Sequence, residues 1–371
     1  MSDLKILHAA DLHLDSPFEG LGSAKAALRR SEQRDLLFRL AQLAQNEAVD
    51  IVLLSGDLLD SDSTFAETGE TLSKTLGSID APVFIAPGNH DFYSARSPYA
   101  RLRFPENVHI FKSAEPECVE LSDKGTRVWG AAFTDKYSAP LLRGFSVQKS
   151  AGIRDIMCIH GEVAADSRYN AITEADIAGS NLDYLALGHI HKASGLKKAG
   201  GTYYAWPGCP EGRGFDETGD KFVYIVTLGG DCAVRPVSIA KRKYAVLPVE
   251  LKSDDFAADI AEALPAGSQN DIYRIILRGE TDVTPQPEKL EEALADKCFA
   301  VQVRDETRIK RDIWDGAGDD NLRGLFLKRL KKQFDAAKTD EEKEKITQAV
   351  RWGLAAIDNR EEVVNHDDQK A

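Results

Sequence analysis

The sequence predicts an α/β fold: two sheets packed face to face and flanked by helices, followed by a small α+β domain and C-terminal helices. Three observations carry that prediction. Between Leu4 and Ala86, short apolar runs alternate with longer amphipathic segments, the order of a parallel βαβαβ unit. From Val108 to Val237 the apolar runs become shorter and follow one another without long helical stretches, which asks for a second sheet. Several runs also stop at Asp, Asn or His, as strands do when their carboxyl ends carry a ligand site.

Leu4 to Ala10 is the first strand, ending at Asp11. A helix from about Ala24 to Asn46 follows, with Leu28, Leu36, Leu37, Leu40 and Leu43 at helical spacing. Ile51-Val52-Leu53-Leu54 is a buried strand ending at Ser55-Gly56-Asp57. Thr64 to Leu76 is a helix, and Val83-Phe84-Ile85-Ala86 is a third strand ending at Pro87-Gly88-Asn89-His90. Later strands are expected at Val119–Leu121, Arg127–Gly130, Asp155–Ile159, Tyr184–Leu187, Tyr203–Trp206 and Phe222–Val226. Lys241-Arg242-Lys243 marks a junction. Beyond it, strands at Tyr244–Leu251, Ile272–Leu277 and Phe299–Val303 alternate with helices at Asp254–Leu264 and Glu288–Leu294. Asp319 to about Asn359 reads as helical with a polar break at Lys338-Thr339-Asp340, and the charged segment Glu361–Ala371 is expected to fray.

Composition narrows the class. A chain of 371 residues that is 43% hydrophobic can bury more than one core. No stretch approaches the roughly 18 uninterrupted apolar residues of a membrane span, so no membrane association is predicted. Met1 to Leu7 lacks the basic and apolar regions of a secretory signal. The five cysteines are scattered and never form a CxxC pair, as expected of free thiols in a reducing cytoplasm. The net charge of -13 speaks against a globally basic nucleic-acid surface. Several of the acids, however, lie in candidate metal motifs, where cations would offset them.

Five motifs stand at strand ends. Asp11-Leu12-His13 places a carboxylate and an imidazole two residues apart, and strand alternation would put them on one face. Gly56-Asp57 offers a carboxylate whose two oxygens can bridge two cations. In Pro87-Gly88-Asn89-His90-Asp91, Asn89 supplies a neutral oxygen, His90 a proton donor, and Asp91 a partner to orient that histidine. His160 follows Ile159, and Gly188-His189-Ile190-His191 brings two imidazoles to another strand end. Taken singly, Asp11-Leu12-His13, Gly56-Asp57 and His160 are better explained by surface turns or packing, and only the His189/His191 pair is a metal signal on its own. Their conjunction is more specific, because five of the eight histidines fall in them. Oxygen and imidazole donors without thiolates suit manganese, iron or zinc better than calcium.

The order DxH, GD, GNHD, H, GHxH resembles that of the calcineurin-like metallophosphoesterase superfamily over residues 1 to about 240. The stretches Leu7–Phe18 and Pro207–Phe215 are similar to those of SbcD-related DNA-repair exonucleases, in particular the YhaO-type branch. The resemblance implies a metallophosphoesterase two-sheet sandwich, α/β/β/α in layers. It implies a nuclease domain over residues 1–242, an α+β capping domain over 243–310 and a helical partner-docking segment over 311–371. By the same resemblance one divalent ion is held by Asp11, His13, Asp57 and His191. The other is held by Asp57, Asn89, His160 and His189, with manganese the expected metal. His90 acts on the leaving group and is not a ligand. Some nuclease relatives carry a second catalytic histidine three residues after the bridging aspartate. This chain has Asp60 there, which leaves that contact unassigned.

The substrate is less constrained. Protein phosphatases of the superfamily have an arginine soon after the bridging aspartate and a GNHE motif. This chain has Leu58-Leu59-Asp60 and GNHD, which disfavours that activity. The expected function is a manganese-dependent DNA exo- or endonuclease in DNA repair. It would act on DNA with an SbcC-like coiled-coil ATPase, and as a homodimer by resemblance. The alternative is a stand-alone phosphodiesterase acting on small nucleotides. Arg213, in the Gly-rich loop, is a candidate substrate contact. Arg29, Arg30, Arg34 and several other basic residues could track a DNA backbone. Leu322, Phe326, Leu330 and Phe334 recur on one face of a basic helix, which suits partner docking or packing within the chain's own domain.

Overall fold

The computed structural model describes residues 2–61, 63–281, 283–309 and 313–357. The segment Glu361–Ala371 and the expected helix end at Asn359 lie outside the described residues. The first sheet contains β1 (Leu4–Ala9), β2 (Ile51–Leu54), β3 (Val83–Ile85) and β4 (Val108–Ile110). The second contains β5 (Glu117–Leu121), β6 (Thr126–Gly130), β7 (Arg154–His160), β8 (Tyr184–Gly188), β9 (Lys197–Ala199) and β10 (Thr202–Ala205). The chain then returns to the first sheet with β11 (Val223–Leu228) and β12 (Cys232–Val237). Both sheets are six-stranded and mixed, in the orders β12-β11-β1-β2-β3-β4 and β5-β6-β7-β8-β10-β9. β1, β2, β3 and β4 run parallel, as do β6, β7, β8 and β10.

Strand alternation explains the layers. Ile6, Ile51, Leu53 and Phe84 of the first sheet meet Val128, Ile156, Cys158 and Tyr184 of the second in a core between the sheets. The intervening residues Leu7, Val52, Leu54 and Ile85 face outward, onto helices α1 (Ser23–Asn46) and α2 (Ala66–Gly77). On the other side Met157, Ile159, Leu185 and Leu187 pack with Ile177 of α4 (Glu174–Ser180), which follows the short α3 (Pro98–Arg101). Strands buried on both faces read as unbroken apolar runs, which is why they are visible in the sequence. α4 is not among the elements that periodicity predicts, although Thr173 and Asp176 form a capping box at its start. All five cysteines are free.

The chain divides into two compact units. The first comprises Met1–Leu247, Ala263–Ile275 and Glu288–Val303 and holds both six-stranded sheets; the second comprises Pro248–Glu262, Ile276–Pro287 and Arg304–Ala371. Past the junction the chain has α+β composition. Strands β13 (Tyr244–Glu250), β14 (Ile272–Arg278) and β16 (Ala300–Asp305) form a three-stranded sheet, and the short β15 (Glu280–Thr281) and β17 (Arg308–Ile309) pair in parallel. The helices here are α5 (Phe256–Ala263) and α6 (Pro287–Ala293). The second unit ends in a helical pair, α7 (Leu322–Ala336) and α8 (Asp340–Ile357). Among the described residues, no helix is long and apolar enough to cross a membrane.

The helix α1 departs from its apolar pattern. Leu36, Leu37 and Leu40 are buried, but Leu28 is 46% exposed and Arg29 is fully buried. Arg29 donates to Glu32 (2.8 Å) and to Glu211 (2.9 Å). Glu32 in turn accepts from Arg242 (2.7 Å), and Glu211 from the backbone N–H of Lys241 (2.6 Å). This end of the helix therefore packs through a charged face, and Arg29 is unavailable to a nucleic-acid backbone.

Candidate metal centre

The seven side chains expected as ligands reach one place from five chain segments: the loops after β1, β2, β3 and β8, and the last residue of β7. All belong to the first unit. The loops after β1 and β2 are zipped together by His13 N–H to the Asp57 carbonyl (2.9 Å) and Leu14 N–H to the Leu58 carbonyl (2.8 Å). Asp11, His13, Asp57 and His189 all have positive φ, between 46° and 93°. That conformation is costly for residues with a Cβ and concentrates at functional sites. Asp11 and His13 thus converge through a left-handed loop. The strand alternation expected from their spacing does not operate beyond Ala9. Glycine is required at Gly88, where a Cβ would stand 2.2 Å from an Asp57 carboxylate oxygen.

Three donor groups result, each with ligand atoms within 4.8 Å of one another: Asp11, His13 and His191; Asp57, His160 and His189; and His13, Asp57 and His90. Asp57 Oδ2 lies 3.3 Å from His160 Nε2 and 3.8 Å from His13 Nε2. Asn89 Oδ1 lies 3.0 Å from His160 Nε2 and 3.1 Å from His189 Nδ1. The Nε2 atoms of His13 and His191 face each other at 3.2 Å. His189 and His191 therefore turn to different donor groups.

Behind these atoms lies a second layer. His160 donates from Nδ1 to the Ser55 carbonyl (2.8 Å), which leaves Nε2 facing the site. His191 Nδ1 bonds the Glu217 carboxylate at 2.6 Å. Asp60 Oδ1 stands 3.2 Å from His13 Nδ1, although that nitrogen has no aligned hydrogen bond. The Trp206 indole N–H holds the Gly161 and Gly188 carbonyls at the ends of β7 and β8 (3.0 and 3.1 Å). Glu217 and Trp206 carry no sequence signal, because nothing in a loop residue's identity shows which distant imidazole it meets.

His90 is exposed at the rim, and Asp91 does not orient it. The fully buried Asp91 carboxylate accepts the backbone N–H groups of Asp57 (3.2 Å), Leu58 (2.7 Å), Leu59 (3.2 Å) and Gly88 (2.8 Å), and the Tyr99 hydroxyl (2.5 Å). It shapes the loop that presents Asp57. His90 instead donates from Nδ1 to the Asp60 carbonyl (2.9 Å), leaving Nε2 free. Arg213 places its guanidinium on Glu217 (2.7 Å) and Asp60 (3.1 Å). Phe326 of the second unit packs so closely on α8 that a Cβ at Gly353 would stand 2.0 Å from its ring, and Phe334 meets Trp314 at 5.3 Å between centroids. Leu330 is half-buried and Leu322 is exposed. The apolar stripe is therefore largely occupied within its own unit.

Two of the imidazoles are held ready for a cation. Burial draws the pKa of His13 and of His189 down to about 4, so both imidazoles are neutral with a lone pair to offer. Burial alone would raise Asp57, but His160 and His13 outweigh it and hold this carboxylate well below the usual range. Burial would lower His160; the Asp57 charge raises it instead to about 9, so a proton supplies the positive charge that Asp57 requires. Burial pushes the Cys209 thiol up to about 12, which excludes it as a ready thiolate ligand. Buried carboxylates, the neutral imidazoles of His13 and His189 and an amide oxygen fit divalent cations with borderline preference.

A sequence profile described as calcineurin-like phosphoesterase matches residues 4–193. The chain is 34% identical over 239 residues to the uncharacterized metallophosphoesterase YhaO of Bacillus subtilis, covering 61% of this chain and 58% of that protein. It is 24% identical over 298 residues to the DNA double-strand break repair protein Mre11 of Saccharolobus solfataricus, covering 75% of this chain and 76% of that protein. To the SbcD protein of the SbcCD nuclease of Bacillus subtilis it is 24% identical over 256 residues, covering 58% of this chain and 64% of that protein. In the first and third of these the match spans less than two thirds of the relative.

Proposed function

Because the chain belongs to the calcineurin-like phosphoesterase family, we propose that it is a two-metal phosphodiester hydrolase acting on DNA with manganese. The observation that carries the two-metal reading is the convergence of donor groups around Asp57, which stands with His160 and His189 in one group and 3.8 Å from His13 of another. Asp11, His13, Asp57 and His191 would hold one ion, and Asp57, Asn89, His160 and His189 the other. Bound there, the ions supply Lewis acidity toward phosphoryl oxygens and lower the pKa of water.

The chain's own groups do the rest. Asp57 lends charge to both sides, and its loop is held by Asp91. His90 is tethered through Nδ1 to the Asp60 carbonyl, which leaves Nε2 available beside His13 and Asp57. In its protonated form that nitrogen delivers a proton to the departing sugar oxygen. His90→Asn should lower turnover by about 10²–10⁴-fold while metal content stays unchanged; full activity in that variant would remove the assignment.

DNA is favoured as substrate by the relatives named for double-strand break repair and for the SbcCD nuclease. From the family resemblance we further propose that the protein works in the cytoplasm as a homodimer with an SbcC-like coiled-coil ATPase, with residues 243–310 as a capping domain and residues 311–371 as the docking segment. The test is to incubate the protein with manganese and labelled linear DNA, and separately with cyclic nucleotides. Cleavage of DNA is expected. Turnover of cyclic nucleotides with DNA untouched, even beside a matching ATPase, would overturn the nuclease reading in favour of a small-nucleotide phosphodiesterase.

A further inference from the structure

We infer that Arg213 is a positioning residue: it ties together the two carboxylates that stand behind His13 and His191, and so sets one half of the metal centre. The inference rests on the reading that these imidazoles are ligands.

The guanidinium is engaged by carboxylates of the protein, although the side chain is partly exposed. Its Nη2 and Nε donate to the two oxygens of Glu217 (2.7 and 3.3 Å), and its Nη1 donates to Asp60 (3.1 Å). The Arg213 backbone N–H adds a further bond to Glu217 (2.8 Å). Glu217 holds His191 Nδ1 at 2.6 Å and Asp60 faces His13 Nδ1 at 3.2 Å. A single planar fork thus joins Asp60, in the loop after β2, to Glu217, in the loop before β11. No other residue type presents donors in that geometry. This gives the Gly-rich stretch a purpose: a Cβ at Gly212 would stand 2.6 Å from the Glu217 carbonyl oxygen, so the turn that brings Arg213 and Glu217 together needs glycine there. It also gives Asp60 one: where some relatives place a histidine, this chain has a carboxylate facing a ligand from behind.

The other half of the centre is built differently. His160 is fully buried and is held by a neutral main-chain carbonyl. The His191 side chain is 30% exposed, so burial does not lock it. The brace stands behind His191, whose side chain is more exposed than that of His13, His160 or His189. Carboxylates behind ligating imidazoles fix their tautomer and orientation, and losing them costs about 10–100-fold in metal affinity.

The test is a manganese titration of the full chain, read by calorimetry and by electron paramagnetic resonance, on the wild type, Arg213→Ala and Arg213→Lys. Metal-free thermal unfolding is measured alongside. The wild type is expected to bind two ions with a spin-coupled spectrum. Arg213→Ala should keep one ion at wild-type affinity and bind the second about 10–100-fold more weakly, with the spectrum of an isolated ion at limiting manganese. Arg213→Lys keeps the charge but cannot bridge both carboxylates, and should show the same loss; it also serves if Arg213→Ala fails to fold. Two ions bound at wild-type affinity in a folded variant would overturn the brace. Fewer than two ions in the wild type would instead overturn the reading on which it rests.

Discussion

Two arginines in this protein do the same chemistry to different ends. Arg29 and Arg213 each join two carboxylates, Glu32 and Glu211 in one case, Glu217 and Asp60 in the other. Around Arg29 the carboxylates continue to Arg242 and to the backbone at Lys241. That network is closed, fully buried at its centre, and holds α1 to the chain near Lys241. Around Arg213 the carboxylates continue to His13 and His191, so the network ends at the metal centre. What distinguishes a structural ion pair from a functional one here is the group behind the carboxylate; the pair itself is the same.

The largest expected effect separates the two on stability. Arg29→Ala leaves Glu32 its Arg242 partner but leaves the buried Glu211 with no cation nearer than Arg39 at 3.9 Å, and should lower unfolding free energy by about 3–5 kcal/mol. Urea unfolding measures it, and the fraction that remains folded should still bind two ions. Next comes Tyr99→Phe, which removes the hydroxyl that donates to the buried Asp91. It should cost about 1.5–3 kcal/mol, and a similar figure with metal binding intact would place Asp91 with the structural network.

The acid limb of stability sharpens the comparison further. Burial would raise Glu32, but the bonds from Arg242, Arg29 and Lys241 outweigh it and hold its pKa at about 2 against 4.5 for a free glutamate. A carboxyl depressed on folding stabilises the native state above its unfolded pKa, and that contribution disappears as pH falls from about 4.5 to about 2. Glu32→Gln should flatten that part of the stability–pH curve; an unchanged slope would remove Glu32 from the network. The smallest effect on stability is expected from Arg213→Ala, about 1 kcal/mol, because Asp60 is partly exposed and the buried Glu217 keeps its bond to His191. A loss as large as that of Arg29→Ala would erase the distinction between the two arginines.

The two networks also mark how far the sequence can be read. The parallel strands are legible because burial on both faces leaves continuous apolar runs, and the motifs because such strands collect chemistry at their carboxyl ends. Asp11 and His13 stand out for a reason that does not hold, since a left-handed loop brings them together. Asp60 is visible only as a departure, and its partner Glu217 is not visible at all. Arg29 reads as an exposed cation because Leu28 beside it suggests an inward face. In each of these cases the deciding contact joins residues far apart in the chain, and periodicity carries no trace of it.

The central claim is that two cations share Asp57. Anomalous diffraction from crystals grown with manganese tests it most directly. Two peaks are predicted on either side of the Asp57 carboxylate, one within ligand distance of Asp11, His13 and His191, the other of Asn89, His160 and His189. A single peak, or a pair that leaves Asp57 uncoordinated, would contradict the claim.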